Sequence, residues 1–213
     1  MGRIRKGILG GFSGKVGTVV GATWKGIAYM RSLPQSVKNP RTLMQRTQRS
    51  RFSVALGFLK LVNAVLKVGW RAFAVRQSAI NAAMSYTIDN AVTGSYPDYA
   101  IDAGKVLVSR GGLTPAFDVE LGVASNAVLV KWENNSGVGS ALGTDRALIA
   151  LVNQGKGEAV TVVGGAERST GRQEVVVSDA WANCDVDCYL GFVSEDGKEV
   201  SNSVYMGVVT IAG

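Results

Sequence analysis

Between residues 106 and 211 the chain repeats one pattern eight times, a short run rich in β-branched and aromatic residues followed by a cluster of Gly, Asn, Asp or Ser. The runs are VLVSRG, AFDVELG, AVLVKWE, RALIALVN, AVTVVGG, QEVVVSD, CDVDCYLGFVSE and NSVYMGVVTI, spaced about ten residues apart. Short strands at that interval, with turn residues between them, predict an antiparallel β-sandwich over residues 106–213.

The chain before residue 85 has a different character. The stretch GGFSGKVGTVVGATWKG, residues 10–26, holds six glycines, two lysines, a tryptophan and no acid. Val16, Thr18, Val20, Ala22 and Trp24 share one parity, and glycine is costly in a long helix, so residues 1–38 read as a glycine-rich extended arm or hairpin. A competing pattern places Gly7, Gly10, Gly14, Gly17 and Gly21 at steps of three and four, the spacing of close helix pairs in membranes, but Lys15 and Lys25 interrupt it. An arm of this kind has too little apolar surface to be stable alone and must lie against something.

From Asn39 the signal becomes helical. Asn39 suits an N-cap and Pro40 the first helical position. Phe52, Leu56, Leu59, Val62 and Leu66 then follow a three-and-four apolar stripe. Gly69 is expected to break it, and a second helix from about Trp70 to Met84 to turn Trp70, Phe73 and Ile80 inward. Residues 39–84 thus form a basic helical segment, and residues 85–105, with TGSYPDYAIDAGK, read as a linker. The predicted class is α+β: an extended arm, two helices, then a sandwich that folds by itself.

Charge divides the chain in the same place. Residues 1–84 carry fifteen Lys and Arg and no acid, whereas the remainder carries eight basic and sixteen acidic side chains, giving +15 and −8 and a net +7. Such asymmetry marks a polyanion contact or a basic half that docks on the acidic half of another copy. The polyanion or partner contacts expected from it are Lys15, Lys25, Arg31, Lys38, Arg41, Arg46, Arg49 and Arg51, with Trp24 and Tyr29 available for base stacking. Gly14, Gly17, Val19, Gly21, Trp24 and Tyr29 are the expected self-association residues, because a strand without bulk approaches another backbone closely.

Several chemistries are excluded or unsupported. There is no histidine, which removes the commonest general base and metal ligand. Cys184 and Cys188 would lie about 13 Å apart in a strand, too far for a disulfide, and with no second pair zinc is not expected. The P-loop pattern fails at Gly14-Lys15, where Leu9 replaces the first glycine and Val16 the hydroxyl, and fails again at Gly197-Lys198. Asp185 and Asp187 read as a solvated strand face opposite the cysteines, and Glu195 with Asp196 as a tight turn before Gly197. No catalytic residue, metal site or cofactor is expected, and no small-molecule substrate. No apolar run is long enough to span a bilayer, and the apolar core ILGGF of the basic opening is shorter than a signal-peptide h-region, so neither membrane insertion nor export is expected.

Two resemblances bear on this reading. AVLVKWENNSG, with Trp132 late in an early strand, and CYLGFVSEDGKEVSNSVYMG resemble a fibronectin type III or immunoglobulin-like module over about residues 118–211. GILGGFSGKVGTVVGATWKGIAYMRSLP, NPRTLMQRTQRSRF and VLVSRGGL resemble an uncharacterised family of Bacteroidota bacteria and their phages. The second resemblance implies a phage or mobile-element setting and supplies no chemistry.

The expectation is therefore a non-enzymatic, self-assembling structural protein whose basic N-terminal half docks on neighbouring copies, in the cytoplasm or within a phage particle. The alternative is a sequence-nonspecific DNA- or RNA-binding protein that uses the same cations.

Overall fold

The computed structural model describes residues 2–4, 7, 10–36, 39–124 and 126–212. It comprises two compact units, Met1–Thr42 and Leu43–Gly213. The first is a β-meander of β1 (Arg3–Ile4), β2 (Phe12–Val16), β3 (Val19–Trp24) and β4 (Ile27–Ser32), antiparallel and in that spatial order. The arm expected over 1–38 is thus a small sheet with its own ladder. Its β3–β4 turn is the two-residue loop Lys25-Gly26, both at positive φ (48° and 88°), the conformation that matches the right-handed twist of a hairpin.

In the second unit, α1 (Leu43–Leu61), α2 (Asn63–Gly69) and α3 (Ala79–Asn90) precede the hairpin β5 (Val92–Ser95) and β6 (Asp98–Ile101). Helix α1 starts three residues later than the Asn39-Pro40 signal predicts, because Arg41 takes a left-handed φ of 47° that no helix continues. The helical stripe ends at Gly69 as expected but also bends 87° at Val62, which carries α2 across the sheet beneath it. The second expected helix also begins later. Residues 71–73 form a single 3-10 turn, and the helix starts at Ala79, capped by Ser78, whose Oγ accepts from the Asn81 amide. Trp70 is buried as expected, whereas Phe73 stays partly exposed.

The sandwich follows as β7 (Glu120–Ala124), β8 (Ala127–Lys131), β9 (Arg146–Asn153), β10 (Glu158–Glu167), β11 (Arg172–Val176), β12 (Asp185–Val193) and β13 (Val204–Thr210). One sheet has the order β11-β8-β7 and the other β10-β9-β12-β13, all antiparallel. Along the chain β7–β8, β9–β10, β11 and β12–β13 alternate between the sheets, as in a fibronectin-like or immunoglobulin-like sandwich. Trp132, directly after β8, sits in the inter-sheet core, where its indole N–H donates to the Arg168 carbonyl at 2.8 Å.

The larger sheet is buried on both faces. Ala147, Ile149 and Leu151 of β9, with Val186, Cys188, Leu190 and Phe192 of β12, pack against the smaller sheet. Leu148, Ala150, Val152 and Tyr189, of the opposite parity, pack with Phe58, Leu59, Leu66 and Trp70 of the helical region. Pairing of Tyr189 with Ala150 and of Cys188 with Leu151 sorts the two sets cleanly. The helices are therefore the third layer of the sandwich unit. The linker expected over 85–105 is instead the end of α3, the β5–β6 hairpin and a 3-10 turn at Ala103–Lys105.

The run VLVSRG, expected as a strand, is an extended strap without ladder pairing. It is held between α2 and the residue that leads into β13 by Arg110 N to Gly69 O (2.9 Å), Val108 N to Ser203 Oγ (2.9 Å) and Ser203 N to Ser109 O (3.0 Å). Two glycines make room for it. A Cβ at Gly69 would lie 2.6 Å from the Val108 carbonyl oxygen, and one at Gly191 would collide with the Ser109 hydroxyl.

A fully buried ion pair closes the end of the sandwich. Arg168 Nε donates to Asp145 Oδ2 (3.1 Å), and its other nitrogens donate to Asn135 Oδ1 (2.7 Å) and to the Thr114 (2.8 Å) and Pro115 (3.3 Å) carbonyls. Its guanidinium carbon lies 3.8 Å from the Phe192 ring centroid. Burial depresses the Arg168 pKa, and the Asp145 carboxylate opposes the shift.

Two outcomes follow for folding. Residues 43–213 should unfold in one cooperative transition on heating, whereas 106–213 alone, stripped of its helices, should aggregate or melt without one. A cooperative melt of 106–213 would contradict the three-layer core. Arg168→Ala should cost about 3–5 kcal/mol in denaturant titrations, since it leaves the Asp145 carboxylate buried and unpaired.

Candidate interaction surface

The β1–β4 unit leaves its large apolar side chains in solvent. Trp24, Ile27 and Met30 are 63%, 67% and 70% exposed, and Gly21 is its one buried residue among those described. Strand register decides which residues share a face. Lys15, Val20 and Arg31 oppose one another across β2, β3 and β4; two positions along, Ala22 opposes Tyr29, and then Trp24 opposes Ile27. One face thus presents Lys15, Arg31, Tyr29, Ile27 and Trp24. Trp24, Ile27 and Tyr29 line a shallow hollow of about 420 Å³ there. Lys25, in the turn, places its ammonium 4.9 Å from the Trp24 ring centroid.

The remaining self-association candidates lie elsewhere. Gly14, Val19 and Gly21 belong to the opposite face, with Val16 and Met30. Gly21 does not offer its backbone to another chain, because Phe12 of β2 already covers it. A Cβ there would collide with the Phe12 carbonyl oxygen and lie 2.7 Å from its ring. Gly17 has open space around it and a φ of 57°, so its role is the β2–β3 turn. Strand β4 has one neighbour, β3, among the described residues, which leaves its outer edge unpaired.

The cations divide further. Lys38 lies outside the described residues. Arg41 is exposed two residues before α1, and Arg46 and Arg49 are exposed on the opening turns of α1 near the exposed Leu43 and Met44 in sequence. Arg51 is half-buried and tied back to the helices, its guanidinium donating one hydrogen bond to the Ile88 carbonyl at 2.8 Å. That carbonyl belongs to the last turn of α3, where a cation also meets the negative end of the helix dipole. The charge division moves as well. Residues 1–42 hold eight of the 23 basic side chains and no acid, and residues 43–213 hold fifteen basic against sixteen acidic, so the first unit alone carries the excess at +8 against −1.

A family model matches residues 11–207, nearly the whole chain. The chain belongs to DUF6266, a family of unknown function. This DUF6266 protein is also similar to the solution structure of the fn3 domain of human collagen alpha-1(XX) chain. The identity is 11% over 47% of this chain and 87% of the other, with a TM-score of 0.37. The curated proteins contain no match.

The acidic and thiol groups of β12 serve structure. Asp187 is not on a solvated face: its carboxylate accepts from Tyr205 Oη and from Gln154 Nε2, both at 2.7 Å. Asp185 accepts from the Thr210 hydroxyl at 2.7 Å. Asp196 forms the expected turn, accepting from Ser194 Oγ (2.7 Å) and the Lys198 amide (3.1 Å), and Lys198 and Ser194 hold it below the usual carboxylate range. Burial pushes the Cys188 thiol up to about 12, with the Asp187 charge adding to the shift, whereas Cys184 is half-buried. At pH 8 a thiol reagent should therefore label Cys184 in the folded DUF6266 protein and reach Cys188 only in denaturant. Because Cys188 keeps its proton in the folded chain, its contribution to stability is complete below the unfolded thiol pKa. It should be lost as pH rises from there towards 12.

Proposed function

We propose that this DUF6266 protein is a non-enzymatic structural protein that self-associates, the β1–β4 unit of one copy docking on the sandwich of the next. The observation that carries this reading is a sheet with almost nothing buried and with Trp24, Ile27, Tyr29 and Met30 in solvent. A sheet that small lacks the core to stand alone, and an unpaired edge at β4 offers hydrogen bonds to a partner strand. Charge selects the occupant. Two β1–β4 units repel at +8 each, whereas residues 106–213 hold seven basic against thirteen acidic side chains. A basic unit meeting an acidic sandwich is a head-to-tail contact, which closes into rings or extends into filaments. The setting that fits such a subunit is a phage or mobile-element particle of Bacteroidota, with the protein in the cytoplasm before assembly.

A second reading is sequence-nonspecific nucleic-acid binding, favoured by the joint placement of Lys15, Arg31, Trp24 and Tyr29 on one face. Light scattering on nuclease-treated protein separates the two. Self-association predicts a mass of several chains that persists without nucleic acid. Removal of residues 1–33 should reduce it to a folded monomer, and Trp24→Ser or Ile27→Ser should weaken association by about 10- to 100-fold, the burial energy of one large apolar side chain. A monomer that binds single-stranded DNA with a steep salt dependence, reduced by Lys15→Ala and Arg31→Ala, would favour the second reading. Unchanged mass after truncation would overturn the first.

A further inference from the structure

Away from the β1–β4 unit, two opposite charges line one hollow without meeting. The hollow, about 360 Å³, lies where the strap at Arg110 passes the end of α2 and one side of α3. Its wall includes Trp70, Phe73 and Tyr86, and the Arg110 guanidinium carbon lies 4.6 Å from the Phe73 centroid, 5.4 Å from Tyr86 and 5.7 Å from Trp70. Trp70 also packs against Phe73 and Tyr86, each at 5.6 Å, so the three rings form a cage. The cage is held from behind by Trp70 Nε1 donating to the Leu107 carbonyl (3.1 Å) and by the Arg110 amide donating to Gly69.

The cage fixes the guanidinium through ring faces alone. No described carboxylate or carbonyl accepts from it, which leaves its N–H fork available. Asp89, on α3, lines the same hollow and forms no ion pair or hydrogen bond with a described residue. A preorganised guanidinium recognises a carboxylate in bidentate fashion, and a free carboxylate across the same space recognises an ammonium. The volume is at the small end of ligand sites.

We infer that this hollow binds a small amino carboxylate, with the ligand's carboxylate on Arg110 and its ammonium towards Asp89. The site is separate from the proposed self-association surface and does not depend on it. Proton–nitrogen NMR of the Leu43–Gly213 unit within the full chain tests it with three probes: L-alanine, propionate and L-alaninamide. L-Alanine should shift the resonances of Arg110, Tyr86 and Asp89, propionate should do so more weakly, and L-alaninamide, which lacks the carboxylate, should not. Arg110→Lys keeps the cation and removes the fork, and should weaken L-alanine binding about tenfold, with the thermal melt confirming the fold. Asp89→Asn should bring L-alanine down to the level of propionate. The proposal fails if L-alaninamide shifts these resonances as strongly as L-alanine, or if L-alanine shifts none of them. It also fails if Asp89→Asn moves the Arg110 Nε resonance without ligand, because the two charges then already pair with each other.

Discussion

Burial of β9 and β12 on both faces is the constraint on which the second unit depends. A strand covered on one side alternates, apolar inward and polar outward, and can serve a two-layer sandwich. The runs ALIALV and VDCYLGFV do not alternate in that way, so each face needs its own cover. The smaller sheet supplies one cover and the helices the other. From this follow the bend at Val62, which lays α2 over the sheet, and the two glycines that admit the strap. The Arg168–Asp145 pair is enclosed within the same unit.

The β1–β4 unit obeys the opposite rule. It has strands, turns and a complete register, yet its bulky side chains point into solvent and its charge is uncompensated. The two units therefore differ in what they lack. The larger builds two apolar cores of its own, and the smaller buries no large apolar side chain among its described residues. That contrast is what supports the proposed interaction surface on the smaller unit.

Much of this was legible in the sequence. Seven of the eight β runs became strands, because β-branched runs bounded by turn residues need little outside help to declare themselves. The basic, glycine-rich start was visible as a separate piece. The domain boundary was misplaced because the Asp89 charge reversal coincides with TGSYPDY, a hairpin whose turn residues look like a linker. The clue to the correct boundary was the two-sided apolar run of β9, which asks for a third layer. Residues that act through distant partners left no local signal: Arg51 reaches Ile88, Arg110 reaches two rings between α2 and α3 and one on α3, and Gly21 is covered by Phe12. VLVSRG reads like any other strand, and only the close approach of Gly69 and Gly191 distinguishes it.

The most direct test of the account is amide hydrogen exchange on the full chain, followed at β4 as protein concentration is raised. An edge that pairs in trans should show outward amides of Ile27–Ser32 that exchange fast in dilute protein and slow down as copies associate. The interior amides of β9 and β12 should exchange slowly throughout. Fast exchange along the β4 edge at every concentration, in protein that is nevertheless oligomeric by mass, would contradict it.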